Sequence, residues 1–260
     1  MSRNILCIDV GNTQIVFGLF EQGELSSHWR LSSHVHSTAD EMLWQLEGMF
    51  QQFQCHPDEL ALVMVASVVP HMDRALREAC ERLCACAVFF VGEQGVKTGM
   101  AVDYKNPFEV GADRIANAVA ARSVYGSPSI VLDCGTATTF DVISPQGHYA
   151  GGLIVPGMDV ALEALCRRAA RLPEVSVLAT DVLIGRDTVS SMQAGSYWAA
   201  VDGLSGIIHR LHALDGYADA PVVATGGLAA RIEQDMPDIA AFEPHLTLNG
   251  LYLLALKHIT

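Results

Sequence analysis

One stretch of this chain occurs twice. A shift of 124 residues lays Leu6-Cys7-Ile8-Asp9-Val10-Gly11 on Ile130-Val131-Leu132-Asp133-Cys134-Gly135 and, continued without a gap, lays Gln22-Gly23 on Gln146-Gly147. Each copy reads as an apolar strand ending in Asp, a polar turn containing Gly, a second apolar strand, and a Gly-centred hairpin into a third strand. A supersecondary unit repeated at this spacing predicts two similar α/β subdomains facing a cleft.

The residues after each triplet change period, and helices alternate with single strands. Helices are expected over residues 38–53, 70–84, 111–125, 158–169, 188–212 and 246–258, and further strands over 60–67, 87–91 and 221–225. The chain divides near residues 106–128, which gives an N-terminal subdomain 1–110 and a C-terminal subdomain 111–260. Its 260 residues are 50% hydrophobic and 17% charged, enough apolar material for a core in each part.

The net charge of −13 includes only three lysines, Lys97, Lys105 and Lys257. With no basic face, neither nucleic acid nor an anionic membrane is expected as a partner. The first apolar stretch, Ile5 to Phe20, is broken by Asp9, Gly11, Asn12 and Gln14, so it reads as neither a signal peptide nor a membrane span. Seven cysteines, an odd number, fit reduced thiols in a cytoplasmic protein. Cys80, Cys84 and Cys86 lack the second ligand pair of a metal site and read as buried small side chains.

Two turns carry the candidate chemistry. Asp9-Val10-Gly11-Asn12-Thr13 combines backbone N–H groups with short polar side chains, which suits either phosphate oxygens or an ordinary hairpin. The second, Asp133-Cys134-Gly135-Thr136-Ala137-Thr138-Thr139, has more hydroxyls than a hairpin needs. Together they suit the two ends of a triphosphate, with the aspartates holding cations through hard oxygen ligands. Gly226-Gly227 follows a buried strand and suits either an adenosine ring or a plain turn. The absence of GxxxxGK[ST] and GxGxxG excludes a P-loop and a dinucleotide fingerprint. Asp113 in Gly111-Ala112-Asp113-Arg114 is either a first-turn helix acid or a general base, with Arg114 clamping an anion.

Five motifs in order, DVGNT at 9–13, GADRIANA at 111–118, DCGTATTFD at 133–141, GGLIVPG at 151–157 and GRDTVSSMQAG at 185–195, resemble those of type III pantothenate kinases over nearly the whole chain. The resemblance implies a duplicated actin-like ATPase (ribonuclease H-like) fold and ATP-dependent phosphorylation of pantothenate, the first committed step to coenzyme A. It further implies a homodimer using Mg²⁺ and a monovalent cation, K⁺ or NH₄⁺.

By position, Asp9, Val10, Gly11, Asn12, Thr13, Gln14, Ile15 and Val16 would form the ATP phosphate turn, with Asp9 near Mg²⁺ and Thr136 also on ATP. Asp133 would hold the monovalent cation, and Asp113 would accept the substrate proton. Tyr104, Gly111, Ala112, Asp113, Arg114 and Thr188 would surround pantothenate, Thr188 at or across the dimer interface. Some relatives carry a lysine where this chain has Val16, which leaves phosphate neutralisation here to metal and backbone donors. The competing readings are an ATP-binding regulator without catalysis and another small-metabolite kinase of the same superfamily.

Overall fold

The computed structural model describes residues 4–34 and 36–259. They form two compact units: residues up to Ala120 together with those from His245 onward, and Ala121–Pro244.

The first unit opens with β1 (Asn4–Val10), β2 (Gln14–Glu21) and β3 (Glu24–Ser32), continues through α1 (Ala39–Gln52), β4 (Leu60–Ser67), α2 (Pro70–Leu83) and β5 (Ala87–Phe90), and leads into α3 (Ala112–Tyr125). Its sheet runs β3-β2-β1-β4-β5, with β1, β4 and β5 parallel and the hairpin strands antiparallel. Central β1 and β4 are buried on both faces, which is why they read as continuous apolar runs.

One face of this sheet packs Ile8, Val63 and Val65 against Leu46 of α1 and Met72 and Leu76 of α2. Thr38 caps α1: its Oγ1 accepts from the Glu41 N–H at 3.2 Å, and the Glu41 carboxylate accepts from the Thr38 N–H at 2.7 Å.

The second unit repeats the plan with β6 (Ser129–Cys134), β7 (Ala137–Ile143), β8 (Tyr149–Pro156), α4 (Met158–Arg168), α5 (Thr188–His212), β9 (Val222–Thr225) and β10 (Ile239–Phe242). Its order, β10-β9-β6-β7-β8, is the first sheet's order again, strand for strand. Even the irregularities recur. The β2–β3 ladder is bulged between Leu19 and Phe20, and the β7–β8 ladder between Val142 and Ile143. The Val68 N–H bonds the last carbonyl of β1, and the Leu228 N–H bonds that of β6, each at 3.0 Å.

The repeat is not gapless, however. Asp9 lies opposite Val16, whereas Asp133 lies opposite Thr139, so the second hairpin is one residue tighter and Val16 corresponds to Thr139 rather than Phe140. Two residues, Gly135 and Thr136, turn the chain there, where Gly11, Asn12 and Thr13 do so in the first copy.

The last helix, α6 (Leu246–Ala255), belongs to the first unit, where it packs on β1, β2 and β4. Gly18 makes room for it, since a Cβ there would lie 2.8 Å from Leu248. Phe20 stacks on Tyr252 at 4.4 Å. The backbone of Gly250 meets Ala116 so closely that a Cβ would overlap the Ala116 carbonyl. The compact units therefore differ from a division at 110/111: α6 packs on the first sheet, and the start of α3 is held to α6. Strand β10 is an addition to the sequence reading, being four residues long and mostly half-buried, without the alternation that marks a strand.

Candidate functional site

In the first unit, Asp9 is the penultimate residue of β1, half-buried, with Ala66 of β4 on one side and Val16 of β2 on the other. The turn beyond it closes through the Gly11 N–H to the Gln14 carbonyl at 3.0 Å and leaves Asn12, Thr13 and Gln14 exposed. Val10 and Ile15 are buried anchors and Val16 is half-buried, so within 9–16 the exposed residues are those in the middle of the turn.

Ser33 braces this turn. Its hydroxyl donates to the Gly11 carbonyl at 2.6 Å, and its N–H donates to the Thr13 carbonyl at 3.0 Å. Residue type alone does not signal this role, because a serine just after a strand is ordinary. The β4 end is braced separately by the Ser67 hydroxyl, which donates to the Asp73 carboxylate in the first turn of α2.

Asp113 sits in the first turn of α3 and accepts the Arg114 N–H at 2.8 Å. In that respect it is the first-turn acid the sequence allows. It is also a buried carboxyl. Burial pushes its pKa up, outweighing the stabilisation of the carboxylate by the Arg114 N–H and the Arg114 charge. Arg114 is 8% exposed. Gly111 leaves room for this carboxylate, since a Cβ there would overlap it unless the side chain moved, and Ala112 is buried.

One helical turn on, the fully buried Asn117 accepts the Thr247 hydroxyl of α6 at 2.8 Å, fixing the start of α3 to the closing helix. Asn117 belongs to the GADRIANA run, but no cue in that run pointed to Thr247. The small residues Ala116, Ala118, Ala120 and Ala121 of α3 are buried within the chain. Tyr104 is 38% exposed and precedes the Asn106-capped turn at Pro107–Glu109.

In the second unit, Asp133 is half-buried near the end of β6, flanked by Thr139 and Thr225. Close backbone approaches enclose this turn. The Gly157 N–H donates to the Thr136 carbonyl at 3.1 Å, and a Cβ on Gly157 would overlap the carbonyl of Gly135. Gly226, at φ +90°, passes where a Cβ would lie 2.5 Å from Asp133 Oδ1. Gly227 has open space around it, so the two glycines of the pair differ: the first is dictated by packing and the second presents bare backbone. Thr136 itself is exposed. Burial, and then the Asp133 charge, push the Cys134 thiol up to about 12, so the cysteine in this turn stays protonated.

Thr188 begins α5, behind Asp187, whose carboxylate accepts the Ser190 N–H at 2.9 Å. Thr188 lines an apolar pocket of about 990 Å³ with Leu162, Leu165, Met192, Leu204 and Ile207 along α4 and α5. Asp9 and Asp133 offer hard oxygen donors at strand ends. Among the described residues, no group of three or more His, Cys, Asp or Glu is placed to hold a metal. A single carboxylate such as Asp9 fits Mg²⁺ carried on substrate phosphates, which needs only one or two protein ligands. No helix among the described residues is long and apolar enough to cross a membrane. Among the described residues, no two cysteines are bonded.

A strand triplet ending in Asp and a turn, repeated with the same sheet order and the same bulge, defines the class: the duplicated actin-like α/β fold of ATPases and small-molecule kinases. Solved structures agree. A Campylobacter jejuni protein assigned to the Baf family of transcriptional activators superposes with a TM-score of 0.60 at 17% identity, covering 97% of this chain and 98% of that one. MreB 5 of Spiroplasma citri, solved with AMPPNP, gives 0.56 at 10% identity, covering 99% and 97%.

Residues 5–210 match the type III pantothenate kinase family, and the chain belongs to that family. It is 42% identical over 250 residues to a type III pantothenate kinase of Bacillus cytotoxicus, covering 96% of this chain and 95% of that one.

Proposed function

We propose that this protein transfers the γ-phosphoryl group of ATP to the hydroxymethyl oxygen of pantothenate. The observation that carries the reading is family membership across residues 5–210. The turn at 9–16 and Thr136 bind the triphosphate through backbone N–H groups and hydroxyls, and Gly227 offers open backbone to the nucleoside. Mg²⁺, when bound near Asp9, supplies charge neutralisation on the phosphates. Asp133 holds a monovalent cation, K⁺ or NH₄⁺.

Phosphoryl transfer passes through a loose transition state, so the chain's residues act mainly by positioning and by field. Arg114 pairs with the pantothenate carboxylate, and Tyr104, Gly111 and Ala112 complete its surroundings. Asp113 orients the attacking hydroxyl and takes its proton late in the step. Its burial supports this role, because a carboxylate with a raised pKa is a better base than an ordinary aspartate.

Homodimerisation along α4 and α5 is supported by the apolar pocket there and places Thr188 at the interface. An ADP-release assay across pantothenate, simple sugars and acetate tests the reading. Turnover confined to pantothenate is expected. Equal turnover of a sugar, or none of any acceptor with ATP bound, would refute it.

A further inference from the structure

Outside the phosphate turns, one pair of thiols is already in contact. α2 ends at Leu83, Cys84 is extended with φ −131° and ψ 146°, and the chain bends at Ala85 and Cys86 before entering β5. This brings Cys86 Sγ to 3.3 Å from Cys84 Sγ, the Cys86 thiol donating to Cys84. The Cys84 thiol donates in turn to the Cys80 carbonyl at 3.0 Å.

Cys84 is 4% exposed and belongs to the core of the first unit. Cys86 is partly exposed and lines a surface groove with Glu21, Glu24, Asp58 and Glu59. The pair joins a sulfur that a reagent can reach to a sulfur that it cannot, and the bond they could form needs a further approach of little more than 1 Å, an S–S bond being about 2.05 Å.

We propose that Cys84 and Cys86 are a reversible dithiol–disulfide site that takes small uncharged hydroperoxides. A peroxide entering the groove meets Cys86 first. The Cys86 sulfur, giving up its proton, attacks one peroxide oxygen, the O–O bond breaks, and the departing hydroxide takes the proton to form water and a Cys86 sulfenic acid. Cys84 sulfur, already in contact, then attacks the Cys86 sulfur and the S–O bond breaks. The leaving hydroxide takes the Cys84 proton as a second water. Two thiols are oxidised to one disulfide and hydrogen peroxide is reduced to two waters, or an alkyl hydroperoxide to its alcohol and one water.

The second step is fast because the attacking sulfur is held in place and needs no encounter. Four carboxylates around the groove disfavour anionic oxidants, which sets the reagent class. The site is remote from the phosphate turn: Ala87 pairs with Leu62 near the start of β4, whereas Asp9 pairs with Ala66 at its far end.

Trypsin should release Leu83–Lys97, a peptide holding Cys84 and Cys86 and no other cysteine. The intact protein is treated with hydrogen peroxide, denatured, alkylated with N-ethylmaleimide, digested and weighed. The expected peptide is lighter than the dithiol form by two hydrogens and carries no maleimide. Dithiothreitol given before alkylation restores two adducts. Cys86→Ser and Cys84→Ser never give the lighter peptide.

Recovery of the wild-type peptide with both thiols alkylated, or with Cys86 carried to sulfinic acid while Cys84 alkylates, would overturn the site. Oxidised glutathione, which is anionic, should close the pair more slowly than cationic cystamine at equal concentration. Equal rates would overturn the role given to the acidic groove.

Discussion

Gly226→Ala, set against Gly227→Ala, tests the reasoning about the second turn most directly. The two positions are adjacent and the change is the same methyl group. At Gly226 the backbone is at φ +90°, and the added Cβ would lie 2.5 Å from both Asp133 Oδ1 and the Cys134 carbonyl. A left-handed conformation costs an alanine about 1–2 kcal/mol. Overlap with atoms that must move costs about 1–3 kcal/mol more. The sum is about 2–5 kcal/mol, a fall in melting temperature of roughly 4–20 °C at about 2–4 °C per kcal/mol.

At Gly227 nothing lies within 4 Å of the added carbon and φ is outside the left-handed range. There the alanine is neutral or stabilising by up to about 1 kcal/mol, because it narrows the unfolded ensemble. Differential scanning calorimetry of the three proteins, with ATP titration of each, reads both stability and the fate of Asp133. Coincident melting curves for the two variants, or a more damaged Gly227→Ala protein, would refute the account of the turn.

Asp113→Asn should keep ATP and pantothenate affinity in calorimetric titration while kcat falls about 10²–10⁴-fold; near-normal kcat would remove the base assignment. Because the folded pKa of Asp113 is raised, the acid limb of kcat/KM should lie above the ordinary aspartate value of 3.8, activity being lost as the carboxylate gains its proton. By the same sign, the stability Asp113 contributes is present at low pH and lost as pH rises through its folded pKa, so Asp113→Asn should be no less stable than wild type at neutral pH in urea melts. Activity should require K⁺ or NH₄⁺, and Asp133→Ala should abolish both activity and the requirement; full turnover in buffer free of both ions would contradict this. Thr38→Ala should cost about 1 kcal/mol by removing the cap of α1, read as a lower urea midpoint with unchanged kcat.

Much of this architecture is legible in the chain because its elements are strongly patterned. Leu60–Ser67 and Thr188–His212 have the bounds that period and flanking residues predict. The duplicated Asp–Gly turns announce the pseudo-symmetry. What the pattern cannot carry is partnership. α6 is recognisable as a helix, but its return to the first sheet depends on Gly18 and Gly250 offering room to Leu248 and to Ala116, contacts between positions far apart in sequence. The tighter second hairpin hides inside an alignment that regains register at Gln146-Gly147. The same limit applies around the candidate site. Asp9, Asp113 and Asp133 stand out by residue type and setting, whereas Ser33, Thr247 and Gly157 act through carbonyls and an amide that give no compositional signal.

The placement of α6 also orders events during synthesis. All five strands of the first sheet have left the ribosome before the second unit begins, yet the face around Gly18 stays without its cover until residues 246–255 emerge. The nascent first half must therefore carry an uncovered apolar surface while more than a hundred further residues are translated. A helix made after the whole second unit closes the first one, so a gene cut between the two sheets would yield an N-terminal piece lacking the cover that α6 provides. Supplying α6 in trans, or permuting it to precede β1, would be the way to restore that cover.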